Sequence, residues 1–340
     1  MRMGTPRWWY VRHNQPMRIT RALAWPLSMI WAAATAYRIA RAAPVDPGVP
    51  VICVGNLTLG GSGKTPIVGE VVRRLRAAGR EAHVLSRGHG GRLSGPILVD
   101  PGRHTAIDVG DEPLMLAAEG PVWVARDRVK GALAAAAAGA QVIVMDDGHQ
   151  NPSVSKALSL MVVDGETRDG EWPFGDGSIF PRGPLREPLA AGLARADAVV
   201  LLLPSDIVSV DPDLATLFSE KTVLIAHLEP VTPPPAEPQV GFAGIAKPWR
   251  VERALKAAGC RLADFAPLAD HQRMSESTLK FLARRAADLG AGLITTEKDW
   301  IRLSPRWRER VTSWPVRARF DDDQALDRLL ATIYREPPPS

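Results

Sequence analysis

Only two cysteines occur in 340 residues, Cys53 and Cys260, and they stand far apart. That excludes a disulfide framework and a cysteine-based metal site, and it fits a reducing compartment. Acidic residues are missing from one whole region: residues 1–41 carry seven arginines (Arg2, Arg7, Arg12, Arg18, Arg21, Arg38, Arg41) and no Asp or Glu. With those seven removed from the 42 Lys and Arg, 35 stand against 37 acidic residues. The net charge of +5 therefore belongs to the N-terminus and is not the footprint of a nucleic-acid surface. No internal repeat of solenoid period is present.

Long apolar runs are also scarce. A spanning helix needs about 20 apolar residues, and the clearest run, ALAWPLSMIWAAATAY from Ala22 to Tyr37, has 16, contains Pro26 and is flanked by arginines. This pattern predicts an interfacial helix, with arginines for anionic headgroups and Trp8, Trp9, Trp25 and Trp31 for the water–hydrocarbon boundary. A full span, a cleaved signal peptide suggested by AAATA, and a helix buried against the body are the competing readings. A nucleotide site further along weighs against export.

What the chain has in quantity is hydrophobic residues, 46%, enough for more than one core. After the turn cluster PVDPG, short β-branched runs (VPVICVGN, EAHVLSRG, QVIVMDD, LSLMVVDG, DAVVLLLP) alternate with helical stretches from Pro66 to Ala78 and through RVKGALAAAAAGA. Such alternation predicts an α/β fold, a P-loop NTPase-like parallel sheet with helices on both faces. Proline-rich AHLEPVTPPPAEPQ reads as a connector to a second, smaller α/β domain. The expected divisions are 1–43 for the membrane-associated helix, 44–228 for the P-loop domain, 229–239 for the connector and 240–335 for the smaller domain.

The stretch VICVGNLTLGGSGKTP supplies strand, glycine turn and helix start in the order a phosphate-binding loop needs. Thr58 stands where the usual pattern has its first glycine, and Gly60 and Gly61 can supply the unusual backbone angles instead. The expected nucleotide-binding residues are Thr58, Leu59, Gly60, Gly61, Ser62, Gly63, Lys64 and Thr65. Lys64 reaches the outer phosphates and Thr65 can hold Mg²⁺. Asp146 and Asp147, closing the apolar run VIVM, form a Walker-B arrangement for the same ion.

Absences narrow the class. No N-K-x-D guanine-reading element occurs, and Leu59 stands where partitioning ATPases have lysine. A kinase remains, and it needs a group to receive the acceptor's proton. VGDEP (Asp111, Glu112), RGPLREP (Arg182 to Pro188) and ADHQR (Asp270, His271) are expected to be loops that could supply it. A P-loop ATPase switch or metallochaperone, and a membrane-anchored nucleotide-binding scaffold, are the alternatives.

In order along the chain, VGNLTLGGSGKTP, LSRGHGG, VGDEP, DDGHQ, RGPLREP, GFAGIAKP and TTEKD resemble the tetraacyldisaccharide 4'-kinase family, from the N-terminal helix through about residue 303. The resemblance implies an ATP-dependent and Mg²⁺-dependent lipid kinase of lipid A biosynthesis. Its implied acceptor is the 4'-hydroxyl of a tetraacyldisaccharide 1-phosphate, at the cytoplasmic face of a bacterial inner membrane. It implies Asp111 as base, with His271 as its partner, and a functional role for Arg186 and Glu187. Glu112 and Asp147 become further ligands or water holders for Mg²⁺, and Arg126 and Arg128 either meet the substrate's 1-phosphate or cover a surface. The implied partners are a lipid substrate in the bilayer and an anionic membrane surface, with no nucleic acid and no obligate protein partner. The chain departs from the family pattern at His149, Gln272, Met274 and Lys247.

Overall fold

The structure is a computed structural model that describes residues 6–13, 16–207, 209–270, 272 and 274–334. Eight strands follow one another in its first sheet: β1 (Val51–Gly55), β2 (Ala82–Ser86), β3 (Ile97–Leu98), β4 (Val122–Val124), β5 (Val142–Asp146), β6 (Leu158–Asp164), β7 (Ala198–Leu203) and β8 (Thr222–Pro230). The second sheet holds β9 (Gln239–Ala243), β10 (Leu262–Pro267), β11 (Gly292–Thr296) and β12 (Val311–Trp314), and β13 (Val316–Phe320) returns to the first. The nine-stranded order is β13-β8-β7-β6-β1-β5-β2-β4-β3, and the four-stranded order is β10-β9-β11-β12.

The first sheet is parallel except at its two edges, where β13 and β3 run antiparallel to their neighbours. Side chains alternate between its faces, as a two-residue period requires. Ile52, Val54, Val142 and Val144 meet α2 (Lys64–Ala77) on one face, whereas Val51, Ile143 and Met145 pack with Ala132 and Ala135 on the other. Both faces are thus covered, which is why these strands read as continuous apolar runs. The remaining helices are α1 (Arg18–Ala40), α3 (Ala106–Val109), α4 (Asp111–Leu116), α5 (Arg128–Ala137), α6 (Leu189–Ala194), α7 (Pro212–Leu217), α8 (Pro248–Ala257), α9 (Glu276–Asp288), α10 (Glu297–Trp300), α11 (Pro305–Arg308) and α12 (Asp323–Ala331).

Three expectations need correction. The C-terminal unit does not extend to 335: β13 pairs with β8 from Val316↔Pro230 to Phe320↔Ala226, and Leu326 and Leu330 of α12 join the core of the first sheet. The antiparallel edge lets one tight turn at Pro315 return the chain, so the second sheet is an excursion between residues 239 and 314. The connector is also shorter than 229–239, because β8 continues through Pro230. Finally, VGDEP is not a loop: Asp111 and Glu112 form the first turn of α4, entered through Gly110 at φ +94°.

Helix α1 is amphipathic in reverse. Its buried residues are Arg21, Ser28 and Thr35, while Ile19, Leu23 and Ile30 are 79%, 74% and 65% exposed. The inward face is held by polar contacts. Ser28 donates to the carbonyl of Ile179 at 2.9 Å and accepts the amide of Arg182 at 3.2 Å. Three residues on from Ser28, the Trp31 indole donates to the carbonyl of Arg186 at 2.9 Å and lies edge-on to Phe180. Among the described residues no helix is long and apolar enough to cross a membrane.

Candidate active site

The loop after β1 is braced on three sides. Leu59 N–H donates to Pro184 at 2.9 Å, Arg186 N–H donates to Leu57 at 2.8 Å, and Thr58 bridges Leu185, so residues 184–186 act as a short strand against the loop. From the N-terminal segment the Tyr10 hydroxyl donates to the carbonyl of Leu59. Inside the loop Asn56 Nδ2 donates to Ser62 Oγ at 2.8 Å. Gly60 and Gly63 take φ of +96° and +75°, and a Cβ on Gly63 would lie 2.3 Å from Leu202 Cδ2. The missing first glycine costs nothing because Thr58 sits in the extended pairing with Leu185. The turn itself falls at Gly60, which then leads into α2 with Lys64 and Thr65 in its first turn.

The paired aspartates at the end of β5 have separate tasks. Asp147 takes φ +51°, is hydrogen-bonded by Arg186 Nη1 at 2.9 and 3.0 Å, and has Lys64 Nζ at 3.5 Å. Burial would raise its pKa, but Lys64 and Arg186 hold it well below the usual carboxylate range. Asp146 makes no side-chain ion pair of this kind, and the charges of Lys64 and Arg128 offset its burial only in part. Its Oδ2 accepts from Ser86 at 3.1 Å and its Oδ1 is buried with no hydrogen-bond partner among the described residues. Burial, then the negative charges of Glu112 and Asp147, push its pKa up to about 7. A buried, unpartnered carboxylate oxygen beside the phosphate loop fits a Mg²⁺ ligand, because Mg²⁺ in such sites takes one or two protein ligands, phosphates and water. The described residues contain no group of three His, Cys, Asp or Glu able to hold a metal by themselves.

Asp111 and Glu112 are met by the second sheet. Arg302 Nε donates to Asp111 Oδ2 at 2.9 Å, and Lys298 Nζ lies 2.9 Å from Glu112 Oε1. Arg302 also donates to Asp299 at 3.1 Å, and Asp299 in turn accepts the N–H of Gly244 at 2.9 Å. Burial would raise Glu112, yet Lys298 draws it below its ordinary value. A second set of ion pairs ties the sheets on the other side of the loop. Lys247 reaches Asp164 at 2.9 Å and Glu171 at 2.7 Å, and Arg250 reaches Asp164 at 2.7 Å. Beside this second clamp lies a cavity of about 210 Å³, lined by Tyr10, Thr58, Gly61 and Ser62 from the loop side and by Asp164, Glu171 and Lys247 from the clamp itself.

Some expected residues are placed elsewhere. Glu187 is 1% exposed and held by Arg195 at 2.5 Å, with Gln150 donating to it at 2.9 Å, so it stands behind Arg186 and does not reach into the site. Arg128 is buried, donating to the carbonyls of Asp146 at 3.1 Å and Ala125 at 3.4 Å. It is an internal support of the Walker-B strand; the expectation that it meets a lipid phosphate or covers a surface fails because both arginine branches face backbone. Arg126 is exposed on the rim beside Gly91. His271 lies outside the described residues. His149, a departure from the family pattern, is buried, donates Nε2–H to Gly192 at 2.9 Å, and is held neutral by burial with a pKa down to about 4. Sequence alone does not single out Arg302, Lys298, Ser86 or Tyr10; TTEKD, which contains Lys298, marks a motif without assigning it a role.

Residues 20–335 match the family described as Tetraacyldisaccharide-1-P 4'-kinase. The chain belongs to that family. A protein named tetraacyldisaccharide 4'-kinase from Phenylobacterium zucineum (strain HLK1) is 66% identical over 333 residues, covering 98% of this chain and 100% of that protein. One of the same name from Caulobacter vibrioides (strain NA1000 / CB15N) is 65% identical over 333 residues, covering 98% and 99%. The crystal structure of LpxK from Aquifex aeolicus in complex with ATP superposes with a TM-score of 0.72 at 24% identity, covering 93% of this chain and 100% of that one. That superposition shows that the chain shares the fold of the Aquifex aeolicus protein.

Proposed function

We propose that this protein transfers the γ-phosphate of ATP to the 4'-hydroxyl of a tetraacyldisaccharide 1-phosphate held in a membrane. The observation that carries the reading is one continuous contact path. The outward-apolar helix α1 is bonded through Trp31 to Arg186, Arg186 holds Asp147 beside Lys64, and the Lys64 charge reaches Glu112, next to the Arg302-held Asp111 in the first turn of α4. A lipid acceptor and a nucleotide phosphate are thereby served by neighbouring parts of one site.

Each side chain takes a role from its surroundings. Lys64 and Arg186 present positive charge where the outer phosphates lie, and the glycine loop offers backbone N–H groups to them. Asp111, oriented by Arg302 through Oδ2, accepts the proton of the acceptor hydroxyl as its oxygen bonds to phosphorus and the bridging bond to ADP breaks. Asp146 and Thr65 would hold Mg²⁺, which when bound neutralises phosphate charge. Asp147 stays with the two cations, and Glu112 stays with Lys298. The second sheet, held over the loop by both clamps, keeps water from the transferring group. The Aquifex aeolicus relative was crystallised with ATP, which supports the nucleotide assignment.

Helix α1 brings this site to its substrate. With Ile19, Leu23, Leu27 and Ile30 outward, the helix lies in the interface of an anionic bilayer, peripheral to the cytoplasmic face of a bacterial inner membrane. The test is incubation with γ-labelled ATP and a tetraacyl disaccharide 1-phosphate in mixed micelles. Label is expected in the lipid with wild type and not with Lys64→Ala. ATP hydrolysis with no labelled lipid would favour the ATPase-switch reading instead.

A further inference from the structure

A second cavity, about 400 Å³, lies at the start of α1, lined by Arg18, Arg21, Ala22, Trp25 and Arg182. The four helix residues recur at i, i+3, i+4 and i+7, so they form one stripe along the helix, and Arg182 faces them from the segment that Ser28 holds. Three guanidinium groups share the walls with Asp176 as their acidic neighbour. Arg21 is 6% exposed; its Nη2 is bonded to Asp176 and to Ser178 Oγ at 3.3 Å. Its Nη1 is buried with no hydrogen-bond partner among the described residues, and the same is true of Arg182 Nε. Two buried guanidinium N–H groups on side chains that line one cavity thus call for an acceptor that the described residues do not supply.

We infer that this cavity is a binding site for the headgroup phosphate of an anionic phospholipid, separate from the site of phosphoryl transfer. A guanidinium fork matches phosphate oxygens, and net positive walls favour an anion over a cation. The occupant is a lipid because Ile19, Leu23 and Trp25, all exposed, share these helical turns. With them in hydrocarbon, the cavity opens at the depth of the phosphates. From Arg21 to Trp31, where α1 touches Arg186, ten residues of helix span roughly 15 Å. The headgroup would fix the roll of α1 about its axis and so the tilt of the active site toward the bilayer. This inference rests on the membrane-facing reading of α1 and is independent of the phosphotransfer reading.

The test is flotation of the full chain with phosphatidylcholine vesicles, with and without phosphatidylglycerol, at about 1 M salt, where a Debye length of about 3 Å removes long-range attraction. Wild type is expected to prefer the phosphatidylglycerol vesicles by about 20-fold, counting about five-fold each for Arg18 and Arg182. Arg18→Gln/Arg182→Gln should lose that preference and keep binding to phosphatidylcholine. Arg38→Gln/Arg41→Gln, at the far end of the same helix, should keep the preference. Arg18→Gln alone, at an exposed position, should lose about five-fold and guards against misfolding of the double variant. Equal losses in both double variants would mean general surface attraction and overturn the site. Saturable binding of soluble glycerol 3-phosphate, sensitive to Arg18→Gln/Arg182→Gln with no vesicle preference, would overturn the lipid assignment. No binding to either vesicle by wild type would overturn the membrane reading of α1 and this inference with it, leaving the kinase assay untouched.

Discussion

Replacing Arg302 by methionine should unfasten the two sheets and disable the acceptor side of the site at once. Arg302 and Asp111 side chains are 13% and 7% exposed, and Asp299 is wholly buried, so water cannot replace the lost cation. Removing one partner of a buried ion pair costs about 3–5 kcal/mol because a carboxylate is left uncompensated. Here two carboxylates lose a cation at once, and Asp299, which keeps the Gly244 N–H and the Thr296 hydroxyl, already has its pKa raised by burial with the arginine in place. The upper part of that range is expected in urea denaturation. A double-mutant cycle with Asp111→Asn separates the contributions: Asp111→Asn alone leaves Arg302 with Asp299, and the coupling of the 111–302 pair should be about 2 kcal/mol. Stability changes that add within about 0.5 kcal/mol would show that the two residues do not act as a pair and refute the clamp.

Other outcomes follow from the same contacts. Gly63→Ala places a methyl group on a +75° backbone 2.3 Å from Leu202 Cδ2, and should cost about 1–3 kcal/mol and weaken ATP binding measured by calorimetry. Unchanged affinity would mean the loop reshapes freely. Asp164 is drawn below its ordinary range by Lys247 and Arg250 against the opposing effect of burial. Its stabilisation is therefore complete at neutral pH and is lost as pH falls from about 4 through the depressed folded value. Urea midpoints from pH 6 to 3 should show an acid loss that Lys247→Met/Arg250→Met flattens, and an identical acid slope in the variant would contradict the pairing. Leu23→Ser/Ile30→Ser should lower binding to phosphatidylcholine vesicles at least ten-fold, since burying each side chain is worth about 1.5–3 kcal/mol, and should leave thermal stability unchanged because both are exposed.

The parts of this site that are contiguous in sequence were legible there. Strand, glycine turn and Lys64-Thr65 are one local unit, and the apolar run ending in Asp146-Asp147 marks a buried strand whose end must lie near the loop in a parallel sheet. The outward face of α1 was legible too, because charges flank it and none interrupt it. What sequence could not show was direction in three dimensions. Arg128 and Glu187 sit in charged, loop-like stretches that look solvent-facing, yet both point inward to satisfy backbone carbonyls and Arg195. Arg302 and Lys298 lie 191 and 186 positions from their partners, and no local period records a salt bridge across two sheets. The second-sheet boundary is hidden for a similar reason: nothing local to Val316–Phe320 says which sheet it joins, and the antiparallel register with β8 decides it.

The division of labour between loop and acceptor side is the central claim, and Asp111→Asn tests it most directly. Single-turnover phosphorylation of a tetraacyl disaccharide 1-phosphate should fall by about 10²–10⁴-fold, the usual span for loss of a general base, while affinity for a non-hydrolysable ATP analogue stays within two-fold, a ~0.4 kcal/mol limit. Transfer at the wild-type rate, or a loss of nucleotide affinity as large as the loss of rate, would contradict it.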